Sequence, residues 1–491
     1  MIKDLKTLKR FFREKVNTPI FGVGVYAFNR LGPEDFIPRY QLLALYDSLE
    51  TRLIEKDIPV FSLEREIGAK IRWQVRRNST SVISHSRTKQ YLLKYSSPLL
   101  LPYKSSLEMV STCQKNDWQL AVNPPDLGKK SLDNKVKFQR ILEEIGVLCP
   151  PGEIVVFGQL DFDSLAKKYN LPFVIQYPLS GGGKGTFFIK TGEDLREARK
   201  SLIGLTKGEI GNGQEVIVSQ FIKGPSPSVT GCVTRWGILS TSPQHQVLSI
   251  PELYNRSGAG LFCGHDWSFS RFSPRICRQV YEITEKVGRY LQKIGYKGIF
   301  GLDFIMDEQT EKIYVVECNP RLLGSFPTLT MAQVRNGEPP ILAFHILEFL
   351  NADYQVDVKE INRQMRRQRK GTHMLLHNLV DGWVESHGQI RPGVYRLNSN
   401  QEMVFVRDGY KLNHLEREEE FLITEGILDK GAYFAPSRRI GRILTLAPIL
   451  ADYQHLNSWA KRIIACSARG LDLQPVSLWQ LRKLFNPRLR N

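Results

Sequence analysis

"GIFGLDFIMDEQTEKIYVVECNPRLLGS", residues 298–325, is the most informative stretch of this chain. Its apolar runs "FGLDFIM" and "KIYVVEC" flank the polar "DEQTE", the pattern of two strands joined by a turn. Side chains alternate along a strand. Glu317 and Asn319 therefore share one face, and Cys318 takes the other. Asp303, on the partner strand, can come close to both. Two carboxylates and an amide oxygen are hard ligands suited to Mg²⁺ (or Mn²⁺), which also draws ligands from nucleotide phosphates. Without a cation, an Asp and a Glu facing one another between apolar flanks would repel. Pro320 ends the pairing, and Arg321 follows as a forked donor for phosphate or acyl oxygens.

The second chemical stretch is "PFVIQYPLSGGGKGTFFIK", residues 172–190. A Walker-type loop needs Gly-Lys-Ser/Thr opening a helix. Here Lys184 is followed by Gly185, and "TFFIK" continues as a strand. The expectation is a hairpin in which Gly181, Gly182, Gly183 and Gly185 clear side chains from the backbone, so that its N–H groups can approach an anion. Lys184 would add a point charge.

Around these stretches the chain alternates elements. "PIFGVGVY", "IPVFSL", "TSVISH", "SPLLLPY" and "WQLAV" look like strands, and "EDFIPRYQLLALYDSLETRLIEK" looks helical. That suggests a small parallel α/β domain over residues 1–125. "LDNKVKFQRILEEIG" is expected to be a helix with Val136, Ile141, Leu142 and Ile145 on one face, Asp133 capping its start and Gly146 ending it. "FSPRICRQVYEITEKVGRYLQKIGYKG" is the clearest helix: Ser273 caps it, Pro274 fits its first turn, and Ile276, Val280, Ile283, Val287, Leu291 and Ile294 form the buried stripe. After Leu350, "THMLLHNLVDGWV", "GVYRL", "MVFVR" and "FLITEGI" read as short strands, with a last helix over 455–469. The expected division is an N-terminal domain 1–125, a central domain 131–350 with a lid over about 150–222, and a C-terminal domain 351–491.

With 491 residues, 42% of them hydrophobic and 24% charged, the composition is that of ordinary globular domains. No apolar run reaches the roughly 18 residues of a membrane helix, and the basic N-terminus has no apolar signal core. Seven scattered cysteines without CxxC spacing argue for reduced thiols and a cytoplasmic setting. The net charge of +18 is spread, with local concentrations in "KDLKTLKRFFREK" and "NRQMRRQRK" that read as solvated helix faces. Nucleic acid is not the expected partner. "HMLLH" at 373–377 lacks the glutamate of HExxH and lies in a strand-like run, so no zinc site is expected there.

Taken together, the residues resemble the ATP-grasp superfamily, over roughly 133–345. "DNKVKFQRILEEIGVLCPPG" resembles its first element, in which a lysine, here Lys135, contacts the nucleotide phosphates. "PFVIQYPLSGGGKGTFFIK" resembles the strand, glycine loop and strand that close over ATP. "EVIVSQFIKGPSPSVTG" resembles the hinge whose main chain holds adenine, which puts Ser219, Gln220, Phe221 and Ile222 at those positions. "GLDF…VVECNPR" resembles the magnesium end, with Asp303, Glu317 and Asn319 as ligands and Arg321 beside the transferring phosphate. Family members usually carry a second lysine where Gln176 stands; a glutamine can hydrogen-bond a phosphate or adenine but supplies no charge, which leaves Lys184 or Lys190 to provide it. The hinge also departs from the family's acidic residues, at Ser219 and Ser226-Pro227.

The resemblance implies an α/β and α+β architecture: an ATP-grasp fold with an N-terminal Rossmann-like (pre-ATP-grasp) domain and a C-terminal mainly β extension. It implies a carboxylate–amine ligase that uses ATP and Mg²⁺, forms an acylphosphate, and releases ADP and phosphate as an amide or peptide-like bond is made. Lys184 and Arg321 would act on the transferring group, and Lys135, Gln176 and residues 181–185 would hold the nucleotide. Arg256, in "PELYNRSGAGLFCGHDW", is a candidate for holding a substrate carboxylate, and His265 is the weaker one. The partners would be small carboxylates and amines, with a homo-oligomer left open. Two rival readings are a biotin-carboxylase-like enzyme and a non-catalytic nucleotide-binding protein whose basic surface meets an anionic partner.

Overall fold

The structure is a computed structural model that describes residues 1–68, 71–127, 132–183, 185–205, 211, 213–254, 261–477 and 479–480. Strands β1 (Ile20–Gly24), β2 (Gln41–Ala44), β3 (Val60–Ser62), β4 (Leu99–Leu101) and β5 (Gln119–Leu120) form a parallel sheet in the order 3-2-1-4-5. β1 and β4 are buried along their whole length, which is why they read as continuous apolar runs. Strand order reverses between β1 and β4. This leaves a crevice at their C-terminal ends, where open α/β sheets bind ligands.

Two local expectations fail here. "EDFIPRYQLLALYDSLETRLIEK" contains strand β2, and its only α-helix is Thr51–Ile54. Pro38 interrupts the helical pattern, and Leu42, Leu43 and Ala44 are buried side by side, as a central strand requires. "TSVISH" is helical over Ser79–Ile83, because the Asn78 Oδ1 accepts the Ser81 N–H at 2.9 Å and starts a turn.

The helix Lys135–Glu144 follows, capped by Asn134, whose Oδ1 accepts the Lys137 N–H at 3.1 Å. The expected cap, Asp133, instead lies close enough to Arg321 to help hold its charge. Phe138 joins Val136 and Leu142 in the buried face, while Ile141 and Ile145 are only half-buried. Then β6 (Gly152–Val156), β7 (Phe173–Gln176), β8 (Thr186–Ile189) and β9 (Glu215–Gln220) make a four-stranded antiparallel sheet in the order 6-9-7-8.

The third sheet starts with β10 (Pro227–Thr234), β11 (Gly237–Ser240), β12 (Gln244–Leu248), β13 (Phe262–Asp266), β14 (Gly298–Met306) and β15 (Ile313–Asn319). Beyond it come β16 (Thr372–His377), β17 (Val384–Ser386), β18 (Gly393–Leu397), β19 (Met403–Arg407), β20 (Phe421–Thr424), β21 (Tyr433–Phe434), β22 (Arg439–Thr445) and β23 (Leu473–Pro475). β17, β21 and β23 form a small sheet. The others extend the third sheet without a break at residue 350, because β16 pairs with β13 through His265 opposite His373.

The long helix Pro274–Lys293 covers β10 and β11, with Ile276, Val280, Val287 and Leu291 buried as the 3.6-residue period predicts. Thr284 and Gly288 complete the stripe. The Thr284 hydroxyl donates to the Val280 carbonyl at 2.6 Å, and Gly288 lets the helix approach Ile238 closely.

The basic run 362–370 is split between surface and interior: Arg363, Arg367 and Lys370 are exposed, Arg366 is half-buried and Arg369 is buried. Arg369 and Glu338 form a fully buried pair at 2.9 Å, Arg363 meets Glu360 at 2.7 Å, and Arg366 lies over the Tyr281 ring. All seven cysteines are unpaired, and no described helix is long and apolar enough to cross a membrane.

His345, on the buried helix Ile341–Phe349, joins the first sheet to the third. Its Nδ1 must accept, since the Ile299 N–H donates to it at 3.0 Å; its Nε2–H therefore donates to the Ala121 carbonyl at 3.0 Å. Gly298 has φ +83°, and a Cβ there would collide with the ring. Burial holds the His345 pKa down at about 4. The unfolded chain thus takes up a proton between about 6.5 and 4 that the folded protein refuses. The stability contributed is present above pH 6.5 and lost as pH falls toward 4, on the order of 3 kcal/mol in all. Denaturant titrations between pH 7 and 4 should show a steeper loss of stability in the wild type than in His345→Gln; equal slopes would show that His345 is not buried neutral.

Candidate active site in the cleft between the two antiparallel sheets

A cleft of about 570 Å³ separates the four-stranded sheet from the third sheet. Its floor is the β14–β15 hairpin. Asp303 and Glu317 face each other in register, as alternation on two paired strands requires. The Asp303 carboxylate accepts from the Gln246 amide at 2.8 Å on one oxygen and from the Asn319 amide at 2.8 Å on the other. Arg321 donates to the Asn319 Oδ1 at 2.6 Å, to the Leu322 carbonyl at 3.2 Å, and to the Tyr103 hydroxyl. Its guanidinium also lies 4.8 Å from the centre of the Tyr103 ring.

Burial and the neighbouring Glu317 push the Asp303 pKa up to about 7, against the pull of Arg321, Asn319 and Lys135. Burial opposes the charge on Arg321, but Tyr103, Asp133, Glu317 and Asp303 outweigh it and raise its pKa.

The roof is the glycine turn between β7 and β8. Gly182 (φ +65°) and Gly183 (φ +79°) line the cleft in the left-handed region that glycine favours. The turn closes through the Tyr177 N–H to the Gly185 carbonyl at 2.8 Å and the Thr186 N–H to the Gly183 carbonyl at 3.1 Å. Any side chain at Gly185 would strike Ser180.

Lys135 fastens roof to floor. Its ammonium donates to the Ser180 carbonyl at 2.8 Å and pairs with Glu317 at 3.0 Å, with only 3% of its side chain exposed. Gln176 also faces the cleft, donating to the Thr186 hydroxyl at 3.4 Å.

The back of the cleft is the hinge. Ser219, Gln220, Phe221 and Ile222 all line it, beside the apolar Val174, Phe188, Phe304 and Val316. Phe188 and Phe221 meet edge to face at 5.1 Å.

The fold therefore brings together Lys135, Gln176, Gly182, Gly183, residues 219–222, Asp303, Glu317, Asn319 and Arg321. Lys184 and Arg256 lie outside the described residues. Lys190 is exposed and is not part of the cleft lining, so it does not replace the charge missing at Gln176. Tyr103, Gln246 and His265 also line the cleft. Tyr103 and Gln246 sit in stretches with no motif, and only the pairing of distant strands carries them to Arg321 and Asp303. Burial keeps His265 neutral, lowering its pKa to about 3. Among the described residues no three His, Cys, Asp or Glu side chains come together as metal ligands. His373 is fully buried, and His377 donates to the Leu253 carbonyl at 3.0 Å.

Residues 132–325 match the ATP-grasp domain family. This part of the chain is an ATP-grasp domain. It contains every candidate residue placed above except Tyr103. The chain is 24% identical over 224 residues to the formate-dependent phosphoribosylglycinamide formyltransferase of Methanocella arvoryzae, covering 45% of this chain and 49% of that one. It is 22% identical over 229 residues to the multifunctional protein URA2 of Saccharomyces cerevisiae, covering 46% of this chain and 10% of that one. The chain thus spans half or less of the length of these curated relatives.

Among solved structures it resembles the biotin carboxylase–β,γ-ATP complex from Campylobacter jejuni (TM-score 0.59, 13% identity, 96% of each chain). It also resembles the biotin carboxylase domain of 2-oxoglutarate carboxylase from Hydrogenobacter thermophilus (TM-score 0.56, 14% identity, 88% and 86% covered). The whole chain has the ATP-grasp fold, with a Rossmann-like parallel sheet before the ATP-grasp domain and a mainly β extension after it.

Proposed function

We propose that the protein is an ATP-dependent carboxylate–amine ligase. The observation that carries the reading is the pair of carboxylates, Asp303 and Glu317, set in register on the floor of a cleft whose roof is a glycine turn. Asp303 is buried and faces Glu317, which together raise its pKa, and this pairing fits a divalent cation at this point. Asp303 and Glu317 would hold Mg²⁺, and Asn319 would join once its amide turned its oxygen from Arg321. When bound, Mg²⁺ supplies charge neutralisation to nucleotide phosphate oxygens.

The chain's own residues do the rest. Gly182 and Gly183 offer unobstructed backbone to the phosphates. Lys135 draws the turn onto the floor and adds positive charge, the hinge slot takes the base, and Arg321 neutralises charge on the transferring phosphoryl group. A substrate carboxylate oxygen attacks the γ-phosphorus, the bond from that phosphorus to the bridging oxygen breaks, and ADP leaves. The amine nitrogen then attacks the carbonyl carbon of the acylphosphate, phosphate departs with its oxygen, and the nitrogen loses a proton. A closed roof excludes the water that would hydrolyse the acylphosphate. The seven unpaired thiols support a cytoplasmic setting.

The long structural likeness to biotin carboxylases favours a second reading in which bicarbonate is the carboxylate activated. One experiment separates them. The protein is incubated with MgATP and either a pool of amino acids and small carboxylic acids or bicarbonate with biotin, and phosphate release and product masses are measured. Condensed amides with stoichiometric phosphate are expected from the first pool. Carboxybiotin alone would establish the second reading, and no turnover with either would reject both.

A further inference from the structure

Past Tyr103, Leu323 and Gly324, which line both, the cleft adjoins a second cavity of about 700 Å³ at the C-terminal ends of β1 and β4. It lies where the order of the parallel sheet reverses, and the third sheet closes it through β22. Arg30, Arg76, Arg77, Lys104, Arg439 and Arg442 line it, against one carboxylate, Glu425. That carboxylate is already engaged by Arg439 at 2.7 Å, Arg442 at 2.5 Å and the Asn29 amide at 2.6 Å. Arg30 is tied to the Leu101 carbonyl at 3.2 Å.

Arg77 is different. Its Nε is buried and has no acceptor among the described residues, and its guanidinium rests 5.4 Å from the Tyr26 ring centre. Neither Arg76 nor Arg77 meets a carboxylate among the described residues. Burial depresses the Arg77 pKa to about 10, and the nearby Arg438 and Arg439 act in the same direction, against the opposing pull of Tyr26 and Glu425. Hydroxyl groups complete the wall: Thr80 and Ser106 bond each other at 2.9 Å, and Ser106 caps the helix Leu107–Lys115 that starts at the cavity. Glu425 is held at φ +69°, a conformation non-glycine residues rarely take, which places backbone strain at this wall.

A folded chain does not gather guanidinium groups around a void without a counter-charge, since an unpaired buried donor and repelling cations both cost stability. We propose that this crevice binds one of the two ligase substrates by a compact, doubly charged anionic group, a phosphate monoester or a dicarboxylate, with Arg77 as its principal fork and Arg439 beside it. The inference rests on the ligase reading for the words "ligase substrate", but the site itself does not. Tyr103 separates the two cavities, with Arg30 at 5.7 Å and Arg321 at 4.8 Å from its ring centre. A substrate anchored on Arg77 would extend past Tyr103 toward Arg321 and the carboxylate pair.

The test uses the full chain, with Mg²⁺ and a non-hydrolysable ATP analogue at saturation so that phosphate cannot occupy the nucleotide cleft. Inorganic phosphate and succinate are titrated separately by calorimetry. Saturable binding of one of them is expected, weakened about tenfold or more in Arg77→Gln and less in Arg77→Lys, which keeps the charge but loses the fork. The anion that binds names the source of the charge. Nucleotide affinity should be unchanged in both variants. Absence of saturable binding by either anion, or equal affinity in Arg77→Gln, would overturn the inference while leaving the ligase reading intact. If the analogue itself fails to bind, the titration is read without it: the ligase reading falls, and anion binding lost in Arg77→Gln still establishes the crevice as an anion site.

Discussion

Asp303→Asn is expected to lower ATP-dependent phosphate release roughly a hundred- to thousandfold, while the protein melts at the same or a higher temperature at pH 8. The two effects have one cause. At pH 8 the folded protein holds Asp303 ionised against burial and against Glu317. Asparagine keeps the shape: its oxygen still accepts from Asn319, and a single amide flip at Gln246 lets its NH2 donate there, so both hydrogen bonds can be preserved. It removes the repulsion and, with it, half of the charge that would attract Mg²⁺. The rise in melting temperature on adding Mg²⁺ should shrink accordingly. A variant that turns over normally would remove Asp303 from the metal site, and one that melts well below wild type would show that the carboxylate is structural.

Lys135→Met should behave in the opposite way, losing stability as well as activity. Lys135 is buried and holds Ser180 on the roof and Glu317 on the floor. Its loss leaves Glu317 beside Asp303 with no ion-pair partner among the described residues, a penalty of about 3 kcal/mol. The glycine turn loses its tie to the floor, so kcat/KM for ATP should fall about a hundredfold. Mg²⁺ should restore more stability to this variant than it adds to wild type, because it supplies the missing positive charge. Urea titrations with and without Mg²⁺ measure that difference; an equal Mg²⁺ effect in both proteins would mean that the cation does not sit at Glu317.

The carboxylate hairpin was legible because everything it needs is local. Two strands, one turn and the alternation of side chains suffice to put Asp303, Glu317 and Asn319 together, and the structure pairs them in that register. The glycine turn was legible for the same reason. Local signals misled where burial, and not periodicity, decides: Leu42 to Ala44 became a central strand, and Asn78 converted "TSVISH" into a helical turn. Asn134 took the cap expected of Asp133, one residue away, which freed Asp133 to act on Arg321.

Residue order alone was thus enough to foresee the carboxylate hairpin and the glycine turn that line the cleft, since each carries its chemistry within a few residues. The basic surplus, by contrast, is a bare number in the sequence. Only the tertiary packing converts part of it into an arginine-lined crevice, pairs Arg369 with Glu338 inside the core, and sets Tyr103 against Arg321 across more than two hundred residues. Such contacts depend on which strands pair across long separations, and burial summed over the whole molecule settles that choice, whereas periodicity in any short segment does not.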